Sequence, residues 1–530
     1  MKGVSCGTII LVDPGVRGVG IDPDVLVTAL HGLTTGRTTL VPGLASHPEL
    51  LTRAAKTSGA RKAVVVVEEL EHPTLAELRT WGAAGGLATL GVQVVALDIL
   101  RSGRSTTERS RYAVRMVRAA LASADGPDQA ATARRPAGAS LSRRALLSCR
   151  ATTWVPVVEV DDQACLGTLR CDRCIESCPD DALQIRQDVF SAAPVVDASR
   201  CGACSRCLEA CPTNALSLDG HDPETLAQRL RALLQQGDGA PNPALILACQ
   251  RAVEPLHRLG SRGGLPGWLV LEVSCLGGLG SAWHLAAIAA GARTLQILPC
   301  ASCRDRASLT RELRFTRALL DSLGDGNAAS RVGVLPDEGR PLRRAILTAG
   351  ALTAAGDGTG LDRMPALASR SSARVAAWAV GELRLALGGP APVRVTQPRV
   401  IEGEGAPLGV VRAAQGCTAC GVCARSCPTR ALSLRPGQGG TDLVLDPAAC
   451  TGCGLCAKAC PEGVLDVLQG IDHDLLARGR VPIARAAQSC CLDCGVSLHA
   501  LPVGARLSSL PAELASRCPR CRQIALVASI

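Results

Sequence analysis

Short apolar runs alternate with amphipathic stretches along the first 125 residues of this chain. Residues 8–13, 39–42, 62–68 and 92–98 are brief, continuous and rich in Val, Ile and Leu, the pattern of strands buried on both faces. Residues 24–33, 48–56 and 74–87 lie between them with helical spacing. Strands that alternate with helices predict a parallel sheet. Residues 222–350 repeat the arrangement, with strands expected at 244–249, 268–275, 294–300 and 331–335 and helices such as 282–290 and 309–323. A linker rich in Ala, Gly and Pro is expected at 124–140. A loop at 356–372 leads into an apolar helix at 373–387, which the break Gly388-Gly389-Pro390 ends. Segments 155–218, 400–468 and 490–521 follow neither period.

Those aperiodic segments hold most of the 27 Cys of the 530-residue chain. At roughly 100–200 residues per domain, the length predicts several domains. A disulfide-rich secreted scaffold would be short and would follow a signal peptide. Here the start, Met1 to Cys6, leads into an apolar run that Asp13 cuts off, too short for a signal sequence. The best membrane candidate, 269–290, contains Glu272 and His284. The expectation is a cytoplasmic chain without membrane insertion, whose cysteines bind metal. A net charge of +10 does not imply nucleic acid, because Lys and Arg are dispersed with no run of five or six. Only eight aromatic residues are available to stack on bases. Thiolate-held clusters would also carry compensating negative charge.

One phrase occurs four times: Cys178-Pro179, Cys211-Pro212, Cys427-Pro428 and Cys460-Pro461, each leading into Ala-Leu or Val-Leu. Both pairs are spaced by 33 residues, so a two-motif module occurs twice. Three copies complete the run C-x2-C-x2-C-x3-C-P: Cys201, Cys204, Cys207, Cys211; Cys417, Cys420, Cys423, Cys427; and Cys450, Cys453, Cys456, Cys460. This is the bacterial ferredoxin signature, in which three thiolates wrap a four-iron cubane and the fourth Cys ligates the other cluster. Small residues such as Gly202, Gly421, Gly452 and Gly454 let backbone N–H groups approach the sulfurs. Structural zinc would need separate CxxC pairs. The first motif departs from the run, reading Cys165-x5-Cys171-x2-Cys174-x3-Cys178, with Thr168 at the usual first position. Either Cys165 ligates from a longer loop or the site holds three irons. The longer loop is favoured because an insertion costs little entropy. Crossed ligation then predicts four sets: Cys165, Cys171, Cys174 with Cys211; Cys201, Cys204, Cys207 with Cys178; Cys417, Cys420, Cys423 with Cys460; and Cys450, Cys453, Cys456 with Cys427.

Cys249, Cys275 and Cys300 each end a predicted strand of the middle region, and Cys303 follows in Cys300-Ala-Ser-Cys303. Parallel strands bring such ends to one edge, which predicts a metal site. Gly277-Gly278-Leu279-Gly280 looks like part of a dinucleotide turn, but the third glycine and the later acid are missing. Near the C-terminus, Cys491-x2-Cys494 and Cys518-x2-Cys521 are two knuckles able to close a zinc tetrahedron. An iron–sulfur site using Cys490-Cys491 is the competing reading there. Cys6, Cys149 and Cys490 are expected to be unligated. Glu68-Glu69 and Asp161-Asp162 are expected on the surface or in turns. There is no P-loop, no H-E-x-x-H and no G-x-S-x-G.

Segment 222–350, with "ILAC", "VSCLGG", "LPCASC" and "RELRFTRALLDSLG", resembles the delta subunit of methyl-viologen-reducing hydrogenases. That resemblance implies a [2Fe–2S] cluster on Cys249, Cys275, Cys300 and Cys303. It also implies a link between a hydrogenase or formate dehydrogenase and heterodisulfide reductase. Segment 1–125, through "HPELLTRAAKTSGARKAVVVV", resembles the N-terminal domain of the flavin-bearing subunit of heterodisulfide reductase, without that subunit's flavin domain. Segments 155–218 and 400–468 are similar to two-cluster ferredoxins. The expected fold class is α/β: parallel-sheet domains at 1–125 and 222–350, ferredoxin modules at 155–218 and 400–468, and a zinc-ribbon-like end at 485–530. The expected cofactors are about four [4Fe–4S] clusters, a [2Fe–2S] cluster and a zinc ion. The expected role is a non-catalytic electron-transfer subunit serving a flavoprotein, hydrogenase or formate dehydrogenase. A thiol–disulfide or heterodisulfide reductase acting at the C-terminal cysteines is one alternative, and a redox-sensing regulator is another.

Overall fold

The computed structural model describes residues 7–34, 36–69, 75–88, 91–101, 105–124, 157–185, 192–218, 223–234, 242–249, 252–263, 265–300, 306–336, 339–351, 371–387, 400–437, 440–487, 489–498, 514 and 517–528. The linker at 125–140, the greater part of the 356–372 loop, the 388–390 break, Cys6, Cys149 and Cys303 lie outside these residues. The chain forms two compact units, Met1–Ser371 and Ser372–Ile530.

In the first unit, strands β1 (Thr8–Val12), β2 (Thr38–Leu40), β3 (Lys62–Val67) and β4 (Val92–Ala96) form a parallel sheet in the order β2-β1-β3-β4. Helices Pro23–Leu30, Leu50–Ser58 and Leu75–Ala84 connect them. Local chemistry sets their ends. Asp22 accepts the Asp24 N–H at 2.9 Å with Pro23 in the first turn, and Gly59, at φ +64°, ends the second helix. Leu51 and Ala55 pack with Val65 and Val67 in a core that needs no aromatic residue. Helix Thr106–Ala124 was not visible as a period in the sequence. It buries Arg115, whose guanidinium lies 5.1 Å from the Tyr112 ring centre, and packs on helix Pro223–Leu234.

The first Cys-dense segment has four short strands, β5 (Glu159–Val160), β6 (Leu183–Gln184), β7 (Val195–Val196) and β8 (Leu216–Ser217), in two antiparallel pairs, β5-β8 and β6-β7. A second parallel sheet follows from β9 (Ala244–Cys249), β10 (Trp268–Val273), β11 (Leu295–Leu298) and β12 (Val332–Val334), in the order β10-β9-β11-β12. Both parallel sheets therefore share one topology, and their strand order reverses between the first and third strands. Outside the carboxyl ends at such a reversal is where open α/β sheets bind ligands.

In the second unit, helix Ser372–Ala386 precedes β13 (Val400–Glu402), β14 (Gly409–Ala413), β15 (Leu432–Gly437), β16 (Gly440–Leu445), β17 (Leu465–Asp472) and β18 (Val481–Ala487). They form antiparallel sheets β13-β17-β14 and β15-β16-β18. Buried Arg384 fixes the helix to this frame, donating to the His473 carbonyl at 2.9 Å and pairing with Asp474 at 2.9 Å. A small hairpin, β19 (Ser489–Cys490) with β20 (Ser497–Leu498), and helix Pro519–Ala528 follow. No helix among the described residues is long and apolar enough to cross a membrane.

Candidate functional site

The repeated Cys-Pro phrase is a turn that aims a donor at its own sulfur. The third residue after the cysteine is left-handed in every copy: Asp181 at φ +46°, Asn214 at +53°, Arg430 at +55° and Gly463 at +65°. That turn brings the next N–H back. Ala182 donates to Cys178 Sγ at 3.2 Å, Ala215 to Cys211 Sγ at 3.3 Å and Ala431 to Cys427 Sγ at 3.2 Å. Three non-glycine residues held left-handed cost roughly 1 kcal/mol or more each, a strain that persists where the surroundings fix the loop.

A second left-handed residue stands two positions after the first cysteine of each motif: Gly167 at φ +79°, Ala203 at +54°, Ala419 at +50° and Gly452 at +65°. The Gly167 N–H donates to Cys165 Sγ at 3.4 Å. The unusual first motif thus opens like the others, and its three extra residues, 168–170, fall after the shared turn.

These turns gather the cysteines in crossed sets. Cys165, Cys171, Cys174 and Cys211 line a pocket of about 350 Å³, partly open to solvent, together with Leu166, Pro212 and Leu216. Cys417, Cys420, Cys423 and Cys460 line another of about 310 Å³ with Thr418, Leu443 and Pro461. Burial drives the Cys207 thiol far up, and the charges of Cys204, Cys201 and Cys178 add to the effect. Burial likewise pushes Cys450 up to about 12, against the Gly452 N–H and with the charges of Cys456, Cys427 and Cys453. Cys174 rises to about 12, and Cys423 and Cys456 to about 11, chiefly by burial. Thiolates crowded in such dry surroundings need a cationic partner to hold their charge. The orphaned hydroxyls tell the same story. Ser205 Oγ, Thr418 Oγ1 and Thr451 Oγ1 are buried, stand beside these cysteines and have no hydrogen-bond partner among the described residues. Cluster sulfides are acceptors that such donors suit.

A family model described as 4Fe-4S dicluster domain matches residues 164–215 and again residues 416–464. The chain is an iron–sulfur protein with two ferredoxin-like dicluster domains. No curated protein matches it. The dicluster match covers the two turn-built modules, and an iron–sulfur electron-transfer role goes with them.

Outside the dicluster domains, the structure places Cys249 at the end of β9, Cys275 two residues beyond β10 and Cys300 two residues beyond β11. Register puts Cys249 opposite Val273, and Ala248 opposite Leu298, so all three cysteines stand at one carboxyl edge. Cys249 and Cys300 flank the reversal of strand order. Cys249 and Cys300 are buried and Cys275 half-buried, with the Cys249 thiol 3.5 Å from the Ser274 carbonyl.

Cys491, Cys494, Cys518 and Cys521 come together in the second unit, their sulfurs all within 4.8 Å of one another. The Cys494 and Cys518 sulfurs are 3.7 Å apart. Ligands at about 2.3 Å in a tetrahedron stand roughly 3.8 Å apart, so the spacing suits one zinc-sized ion. The Cys518 N–H donates to Cys491 Sγ at 3.2 Å and, together with the N–H groups of Cys494 and Asp493 and the Cys494 thiol, lowers that thiol to about 6; the Cys521 N–H donates to Cys518 Sγ at 3.4 Å. Cys490 is exposed and outside this group.

Two features escaped the sequence reading. Glu68 was expected at the surface; it is half-buried and paired with Arg101. Asp161 and Asp162 do lie exposed in a turn, where Asp161 accepts the Gln163 N–H at 2.9 Å. Ser205, Thr418 and Thr451 carry no motif of their own; only their position inside the cysteine runs marks them.

Proposed function

We propose that this chain is a multi-cluster electron carrier that passes single electrons between a catalytic redox partner and an acceptor, and has no substrate chemistry of its own. The observation that carries the reading is the crossed gathering of Cys165, Cys171, Cys174 with Cys211 and of Cys417, Cys420, Cys423 with Cys460 around two cavities. On this reading, Cys201, Cys204, Cys207 with Cys178, and Cys450, Cys453, Cys456 with Cys427, hold the other two [4Fe–4S] clusters. When bound, each cluster supplies reversible one-electron chemistry.

The protein's contribution is the setting. Buried Leu216 and Leu443 keep water from the sulfurs, and the N–H groups of Ala182, Ala215 and Ala431 point at ligand sulfurs. Such hydrogen bonds favour the more negative, reduced form. Cys249, Cys275 and Cys300, with Cys303, are the ligands we assign to a [2Fe–2S] cluster, supported by their shared sheet edge at the reversal of strand order. For Cys491, Cys494, Cys518 and Cys521 the single-ion spacing supports a structural zinc over reductase chemistry.

The partner class is a redox enzyme with two-electron chemistry, such as a flavoprotein, a hydrogenase or a formate dehydrogenase, feeding or draining a heterodisulfide-reductase-like complex. The test is turnover by the chain isolated without oxygen. It should take electrons from a low-potential dye but oxidise neither hydrogen, formate nor NADH until a partner is added. Turnover of any of these by the single chain would contradict the reading.

A further inference from the structure

The glycine run after Cys275 has a physical use that no nucleotide explains. Gly277 lies so close to the first dicluster domain that a Cβ there would stand 2.6 Å from the Cys204 carbonyl oxygen. A Cβ on Gly278 would stand 2.4 Å from Ser205 Cβ. Real Cβ atoms do not make contacts that short, so Gly277 is required by the Cys204 backbone and Gly278 by the Ser205 side chain. Glu209, in helix Arg206–Ala210, accepts the Gly280 N–H and fastens the same surfaces together.

Ser205 is the matching irregularity on the other side. It sits at φ +64°, 1% exposed. The corresponding residues of the second dicluster domain are Gly421 and Gly454, each at φ +77°. A serine there carries left-handed strain of roughly 1–2 kcal/mol that glycine avoids. Its side chain is the atom group that Gly278 makes room for, and its hydroxyl has no partner among the described residues.

Two juxtapositions then line up. Cys204 lies near enough to Cys275 for the charge of one to act on the other, and Cys207 stands in the same relation to Cys174. The order is the β9–β11 cysteine edge, the set containing Cys204 and Cys207, and the set containing Cys174.

We infer that the set Cys178, Cys201, Cys204 and Cys207 is the port through which the Cys249, Cys275 and Cys300 group exchanges electrons with the first dicluster domain. Close packing of Gly277 and Gly278 on Cys204 and Ser205 sets the distance. This rests on the electron-carrier reading above. One electron leaves a reduced centre on one side of the contact and enters an oxidised centre on the other, with no bond made or broken.

The experiment uses the full chain and begins with iron and labile sulfide, because clusters missing from the wild type would overturn the carrier reading itself, before this contact is tested. In the wild type, the paramagnetic signal of the Cys249, Cys275, Cys300 centre should broaden and relax faster when the dicluster domain is reduced. Gly278→Ala should abolish that broadening and slow electron equilibration between the two signals, with iron content unchanged. The double variant Gly278→Ala with Ser205→Gly, which removes the colliding Cβ, should restore both. The inference is overturned if the wild type with full clusters shows no broadening. It is also overturned if Gly278→Ala keeps the broadening, or if the double variant regains its iron but not the broadening. Should Gly278→Ala fail to fold, the wild-type signal and the double variant still decide.

Discussion

His257 lies between two carboxylates, its Nδ1 2.9 Å from Asp98 Oδ1 and its Nε2 3.1 Å from Glu272 Oε1. Asp98 stands just past the last strand of the first parallel sheet, and Glu272 is within β10 of the second. The imidazolium donates to both and ties the sheets of the first unit together. Beside it, a Cβ on Gly260 would be 2.7 Å from Ile99 Cα, so the helix carrying His257 is seated directly on the Asp98–Leu100 turn.

The first prediction follows from that latch. Burial alone would lower the His257 pKa, but the hydrogen bonds and charges of Asp98 and Glu272 outweigh it and raise it from 6.5 to about 10. A raised folded pKa stabilises fully below the unfolded value and fades as pH rises through the folded one. Stability should therefore hold from about pH 6.5 downward for this group and be lost towards pH 10 and above. His257→Gln should cost about 3–5 kcal/mol at neutral pH, because it leaves the buried Asp98 carboxylate without its cationic partner. Urea midpoints of wild type and variant at neutral pH and beyond about pH 10 check this; a gap that does not narrow at high pH would argue against it.

A second prediction concerns the first motif. Cys165 shares its turn and cavity with Cys171, Cys174 and Cys211. Cys165→Ala should therefore lose one cubane or leave a three-iron remnant visible in the oxidised spectrum, while Thr168→Ala changes nothing. An unchanged spectrum for Cys165→Ala would mean that the native site is already three-iron.

Hydrogen bonding to sulfur gives a third. Thr213 Oγ1 lies 3.4 Å from Cys211 Sγ, and a ligating thiolate has no proton, so the hydroxyl donates. An ordinary hydrogen bond contributes about 0.5–1.5 kcal/mol, which for one electron is roughly 20–60 mV at most. Thr213→Val should lower the potential of that cluster by an amount within this range and leave the others in place. A redox titration followed by electron paramagnetic resonance reads it, and a rise in potential would contradict the assignment.

The C-terminal group supplies a fourth. Cys491→Ser should release about one zinc per chain and loosen the hairpin that β19 and β20 form, with the cluster spectra intact. Loss of an iron-based signal instead would mark that group as an iron–sulfur site.

Much of this was legible because the relevant chemistry is local. The strands of both parallel sheets lie within two residues of their expected bounds, since short Val- and Leu-rich runs between helical stretches have few other uses. Spacing alone predicted four crossed cysteine sets, and two of them, Cys165, Cys171, Cys174 with Cys211 and Cys417, Cys420, Cys423 with Cys460, line common pockets. Helix Thr106–Ala124 escaped because its buried face includes Arg115 and small alanines, which blur the apolar period. The latch between Asp98 and His257 spans 159 residues, and no local pattern signals such a pair. Gly277 and Gly278 were read as a tight turn set by Cys275; what they face, the Cys204 carbonyl and the Ser205 side chain, lies more than seventy residues earlier.

The central claim is that both dicluster domains are fully loaded carriers. Iron and acid-labile sulfide, measured on the chain isolated without oxygen, test it most directly. The account predicts about sixteen of each from the four cubanes and about two more from the β9–β11 edge. A value near eight of each, in chain that is folded, would leave half the cysteine sets without clusters and contradict it.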